Sequence, residues 1–175
     1  MSHTPQPLPE LDDATLAFAA QVFDSARKGD SAWLGELLSQ GMPANLRNHA
    51  GDSLLMLASY HGHVEASRVL LQHGADPQLR NGRGHTPLAG AAFKGDLAIV
   101  ELLLEHGANV ESPCEDGKTA LMMAAMFNRT ALVEYLVTRG ADPQAADGSG
   151  VTPLAAATMM GATEAQALLQ RLGAA

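Results

Sequence analysis

Aromatic side chains make up only 4% of the 175 residues: four Phe, two Tyr and one Trp. A core built on large rings is therefore excluded, and the 46% apolar fraction must pack from Ala, Leu, Val and Met. Ala, Leu and Met lose little freedom in a helix, so the shortage of rings favours helices. Basic residues are also scarce, 11 against 19 acidic, which leaves a formal charge of −8. Such a surface repels a phosphate backbone and argues against nucleic acid as a partner. One cysteine, Cys114, can make neither an internal disulfide nor a Cys-based zinc site. No apolar run approaches the roughly 20 residues that span a bilayer, so no membrane partner is expected. The opening MSHTPQPLPELDD lacks the basic and apolar regions of a secretory leader, and the expected location is the cytoplasm.

Glycine, by contrast, is abundant and periodic. Gly51, Gly84, Gly117 and Gly150 stand 33 residues apart, as do Gly41, Gly74, Gly107, Gly140 and Gly173. A third series runs Gly29, Gly62, Gly95, Asn128, Gly161. Asn is the other residue that readily takes a left-handed backbone, so the substitution keeps the pattern. The third series is placed to end a first short helix and the second series to end a second one. The first series falls in the connection between units, where a tight turn requires positive φ.

Between these stops the apolar pattern is helical. In TPLAGAAFKG, Thr86 is placed as an N-cap and Pro87 at the first helical position; Thr152 and Pro153 repeat the arrangement. Ser53 and Thr119 keep the cap without the proline. In DLAIVELLLEHG, the spacing sets Leu97, Val100, Leu103 and Leu104 on one stripe. Trp33 falls in a slot filled by Ala66, Ile99, Leu132 and Ala165 in later units, and is expected in the core.

The stretch GHTPLAGAAFKGDLAIVELLLEHGAN, and the units in frame with it, resemble the ankyrin repeat over about 145 residues. The resemblance implies an all-α solenoid of about five 33-residue helix-turn-helix units with hairpin-like connections, forming one domain. The expected divisions are a flexible lead-in at 1–12, an N-terminal capping repeat at 13–47, repeats at 48–80, 81–113 and 114–146, and a C-terminal capping repeat at 147–175. The helix beginning near Asp13 is longer than the frame requires. One departure recurs: the histidine that follows Thr-Pro-Leu in the family is replaced by Met56, Ala89, Met122 and Ala155. Hydrogen bonds that this imidazole makes between neighbouring repeats need another source here. A single unit cannot bury its apolar face, so stability must come from stacking, and capped ends imply a monomer.

No catalytic motif is present: there is no phosphate-binding Gly-rich loop ending in Lys-Ser or Lys-Thr, no His-Glu-x-x-His and no Gly-x-Ser-x-Gly. NGRGHT falls on the repeat's own turn. No cofactor is expected. His49, His61 and His85 are read as solvated surface, since a metal needs three converging ligands. His73 and His106 sit where a cation suits a helix C-terminus, and His63 is read as a local hydrogen-bonding residue. Cys114, in the slot of Asn48, Asn81 and Asp147, is expected to be structural, with an ordinary pKa and little reactivity.

In ankyrin-like proteins, hairpin tips and the ends of first helices line a concave groove. That resemblance nominates the tip residues His49, Asp52, Arg83, His85, Glu115, Asp116 and Lys118. It nominates Tyr60, His61, Phe93, Lys94, Met126, Phe127, Met159 and Met160 at the helix ends. Aromatic and Met side chains are enriched in interface cores, so the second set predicts an apolar strip with the charged tips as its rim. The implied function is a non-enzymatic module binding a protein or peptide, as adaptor, inhibitor or chaperone-like partner. The resemblance extends to small bacterial ankyrin proteins, some encoded beside catalase or toxin genes. The alternative is therefore a haem or small-ligand handling protein using the His and Met strip, for example in support of a catalase.

Overall fold

A computed structural model describes residues 12–174. The expected lead-in at 1–12 lies outside the described residues except for Asp12, whose carboxylate caps the first helix by accepting from the Thr15 amide at 2.7 Å. Ten helices follow in five antiparallel pairs: α1 Asp13–Lys28 with α2 Ser31–Ser39, α3 Leu54–Tyr60 with α4 Val64–Gln72, α5 Pro87–Lys94 with α6 Leu97–Glu105, α7 Ala120–Met126 with α8 Thr130–Thr138, and α9 Pro153–Met159 with α10 Thr163–Arg171. This is the all-α solenoid that the repeat implied. Odd-numbered helices stack in one unbroken row. In the even row α2 packs on α4, α4 on α6 and α8 on α10, and the buried residues of all five units join one apolar cluster.

The sequence signals for starts and stops act as the chemistry requires. Ser53, Thr86, Thr119 and Thr152 each accept a backbone amide three residues on, at 3.0, 3.2, 3.4 and 3.2 Å. Each bond satisfies one of the donors that a helix N-terminus leaves open. Asn128 ends α7 in the left-handed conformation at φ 55°, where its equivalents are glycine. Between units the chain doubles back as a small hairpin. Asn48 Oδ1 accepts the amides of Ala50 and Asp52, and Asn81 and Asp147 do the same for their own turns. Cys114 occupies this slot in the fourth unit; there Asp116 Oδ1 accepts from the Lys118 amide instead.

The core is a set of repeated positions. Leu70, Leu103, Leu136 and Leu169 are all 0% exposed, as are Ala58, Ala91, Ala124 and Ala157. Leucines fill the space between the two rows, while alanines let successive odd helices approach closely. Each such leucine contributes about 2 kcal/mol by leaving water. In α6 the buried face is Ile99, Val100, Leu102 and Leu103, with Leu97 and Leu104 only half-buried, so the predicted stripe was turned by about one residue. Trp33 is also half-buried rather than core, packing edge-on against the exposed Phe18 at 6.1 Å. It lies in the first of the described units, and none of the described residues forms a repeat on that side of it.

Bonds between neighbouring repeats come from other groups than the missing imidazole. Asn45, Gln78 and Glu111 form a ladder on the outer turns, accepting the amides of Asp76, Asn109 and Asp142 at 2.8, 3.2 and 2.8 Å. The Gln144 side chain continues it by donating to the Gly173 carbonyl. The Arg47 guanidinium donates to the Arg80 carbonyl, and that of Arg80 to Pro113. His63 acts across units rather than locally, its ring 2.7 Å from the Arg27 carbonyl. His73 and His106 bond back to Val69 and Leu102 and so cap their own helices.

Two substitutions test this packing. Ser67 is fully buried with no partner for its hydroxyl, in a slot held by Leu34, Val100 and Val133 in other units. Ser67→Ala removes the orphaned hydroxyl and is expected to stabilise by about 1 kcal/mol, seen as a higher urea midpoint. Asn128→Ala is expected to destabilise by about 2 kcal/mol. It loses the left-handed preference and the bond that Asn128 Oδ1 accepts from the Ala165 amide at 2.9 Å. Asn128→Gly loses only the bond and falls between the two in the same assay.

Candidate functional site

The C-terminal ends of α3, α5 and α7 and the hairpin tips before them enclose a hollow of about 540 Å³. Its walls are Tyr60, Phe93, Met126 and Phe127, and its floor is Met56, Leu57, Ala89, Gly90 and Met123. The Tyr60 and Phe93 rings lie within 8° of parallel with centroids 6.5 Å apart. Phe93 meets Phe127 edge-on at 4.6 Å. Adjacent repeats thus set their rings in a continuous row. Gly90 lies against this row: a Cβ there would stand 3.4 Å from Tyr60 Cδ2 and 3.9 Å from Met56 Sδ, at van der Waals contact with both.

Polar groups form the rim. The hollow gathers Asp52, Arg83, His85, Asp116 and Lys118 around Tyr60, His61, Phe93, Met126 and Phe127. Of the other nominated residues, Lys94 lines a shallow adjoining hollow with Tyr60 and His61, its ammonium 5.2 Å above the Tyr60 ring. His49, Glu115, Met159 and Met160 lie outside both hollows. Met159 and Met160 are 76% and 52% exposed, beyond the end of the aromatic row. Sequence reasoning missed the floor. Its signal was Gly90, an isolated glycine within a helical pattern whose equivalents are Leu57, Met123 and Ala156, the mark of a close approach by another group.

The rim's electrostatics are set by local pairing. Asp52 accepts from Asn81 at 3.0 Å and Asn48 at 3.4 Å. Asp116 binds the Lys118 ammonium at 2.5 Å. That hydrogen bond holds the Asp116 carboxyl below the usual carboxylate range and lifts Lys118 above its ordinary value. Cys114 is 3% exposed, and burial pushes its thiol above the ordinary cysteine value that the sequence suggested. Among the described residues, no group of three His, Cys, Asp or Glu side chains stands close enough to hold a metal ion. No helix among them is long and apolar enough to cross a membrane.

A family model of ankyrin repeats in three copies matches residues 22–114 and again 109–174. The chain belongs to the ankyrin repeat family. Over 66 residues it is 61% identical to a Pseudomonas aeruginosa protein named for its ankyrin repeats, PA3287. That stretch is 38% of this chain and 39% of the relative, so the match spans well under half of either protein. Ankyrin repeats are generally protein–protein interaction modules. The aromatic hollow lies where three successive ankyrin units bring the ends of their first helices together.

The Asp116–Lys118 pair makes a checkable contribution. Because the folded pKa of Asp116 is lowered, its share of stability is present above the unfolded value near 4 and disappears as pH falls through the folded one. Because that of Lys118 is raised, its share is present below about 10.4 and disappears as pH rises through the folded value. Lys118 and Asp116 keep 30% and 48% of their side-chain surface in water, and solvent screening of such a pair sets the expected cost of Lys118→Met at only about 0.5 kcal/mol at neutral pH. Urea melts across pH should show the difference closing at both extremes.

Proposed function

We propose that this protein is a non-enzymatic binding module that holds a protein or peptide partner on its concave face, with Tyr60, Phe93 and Phe127 as anchors. The observation that carries the reading is the row of three rings, one from each of three successive repeats, open to solvent above an apolar floor. Buried aromatic anchors within a polar rim are the usual energetic centre of an interface. A stack of this kind is preformed, so little ordering entropy opposes binding. The absence of a catalytic motif in the sequence agrees with a role as adaptor, inhibitor or chaperone-like partner, acting as a monomer in the cytoplasm.

The test compares tagged wild type with Phe93→Ala plus Phe127→Ala, both expressed in the native cells, after reversible crosslinking. Both rings are partly exposed, so the double variant should retain the wild-type circular dichroism spectrum. Recovery of specific partners is expected to fall about tenfold or more, since each anchor contributes on the order of 2 kcal/mol. Glu101→Ala plus Glu134→Ala, on the second helices α6 and α8, should recover wild-type amounts. Equal recovery by all three proteins would overturn the reading.

A further inference from the structure

We propose that Met159 and Met160 form an oxidation site, where a hydroperoxide converts the two thioethers to sulfoxides and turns this end of the strip from apolar to polar while the fold stays intact. The proposal stands apart from the docking reading. It rests on how unevenly the fold shields its sulfur. Met159 and Met160 are 76% and 52% exposed. Among the other described methionines, Met56 and Met122 are 4% and 1% exposed, and Met42, Met123 and Met126 are half-buried. Met42 and Met123 pack against the core, and Met126 stands in the wall of the hollow.

A thioether is a soft, polarisable nucleophile that needs no deprotonation, so access to the sulfur governs its oxidation in a folded protein. A sulfur lone pair attacks one peroxide oxygen, the O–O bond breaks, and the departing hydroxide takes the proton left on the transferred oxygen. Sulfur gives up two electrons in becoming the sulfoxide, and hydrogen peroxide is reduced to water. At Met159 and Met160 that attack needs no opening of the chain. At Met56 and Met122 it waits for local unfolding, whose small population sets the rate. The place in the fold decides what the added oxygen does. Met159 is the last residue of α9 and Met160 its C-cap, followed by Gly161 in the left-handed conformation at φ 68°. The Met160 amide donates to the Ala156 carbonyl at 3.2 Å, a contact of backbone alone. Neither side chain belongs to the apolar core. A sulfoxide here therefore stays in water and breaks neither a core contact nor a helix bond. The same oxygen on Met122, in the buried face of α7, would be a polar atom held out of water.

The test exposes the folded chain, and the same chain unfolded in urea, to dilute hydrogen peroxide and follows each methionine by peptide mass spectrometry. In the folded protein Met159 and Met160 are expected to oxidise first among the described methionines, near the rates they show in urea. Met56 and Met122 should be slower by about tenfold or more, and in urea the differences should vanish. The oxidised protein should keep its circular dichroism spectrum and elute earlier from a hydrophobic-interaction column. Met159→Leu plus Met160→Leu keeps the apolar surface without the sulfur, and should abolish that change in elution. Comparable rates at every methionine of the folded chain, or earlier oxidation of Met42, Met123 or Met126, would overturn the proposal. So would a helix signal lost as Met159 and Met160 react, or an elution that the double variant leaves as sensitive to peroxide as wild type.

Discussion

No unit of this chain is thick enough to enclose its own apolar face, and what completes each one is the next. Leu70, Leu103, Leu136 and Leu169 are wholly removed from water only because each lies between two rows of helices. The alanines at 58, 91, 124 and 157 do the complementary job of bringing the odd helices close enough to seal the row. Stability in such an array is a sum of weak units and strong junctions. This explains why polar groups are also placed to act across junctions. The outer ladder of Asn45, Gln78 and Glu111 passes one bond from each repeat to the next, in step with the apolar period.

The same constraint builds the candidate site. Once the period is fixed by stacking, any position on the first helix recurs as a line across the molecule. The line through 60 and 93 is aromatic, and 127 joins it from the adjacent position. Ring meets ring because the alanine spacing brings the helices together. The hairpin tips, held open by side-chain bonds to their own turns, cannot follow the helices into the core and stay as a polar edge. Apolar centre and charged border are thus two products of one geometry.

Much of the fold could be read from residue chemistry at single positions. The caps at Ser53, Thr86, Thr119 and Thr152 and the left-handed stop at Asn128 depend on local backbone sterics, which a sequence carries openly. Trp33 was misplaced because periodicity assigns a slot but not how much protein covers it, and among the described residues the first unit is covered from one side only. His63 was misplaced for a related reason: its partner, the Arg27 carbonyl, belongs to the preceding unit and is invisible to local reading. The rim and walls of the hollow followed from their place in the repeat. The floor did not, because Gly90 matters there for the side chain it lacks, and the sequence says only that something comes near. The Met159–Met160 end of the strip runs past the hollow because no sixth unit supplies a facing wall among the described residues.

The row of rings has a consequence for how the apolar strip is encoded. Tyr60, Phe93 and Phe127 come from three separate units, so the strip is continuous in space and scattered along the chain. No one of those three units holds more than one of its rings, and the patch exists only where neighbours stand side by side.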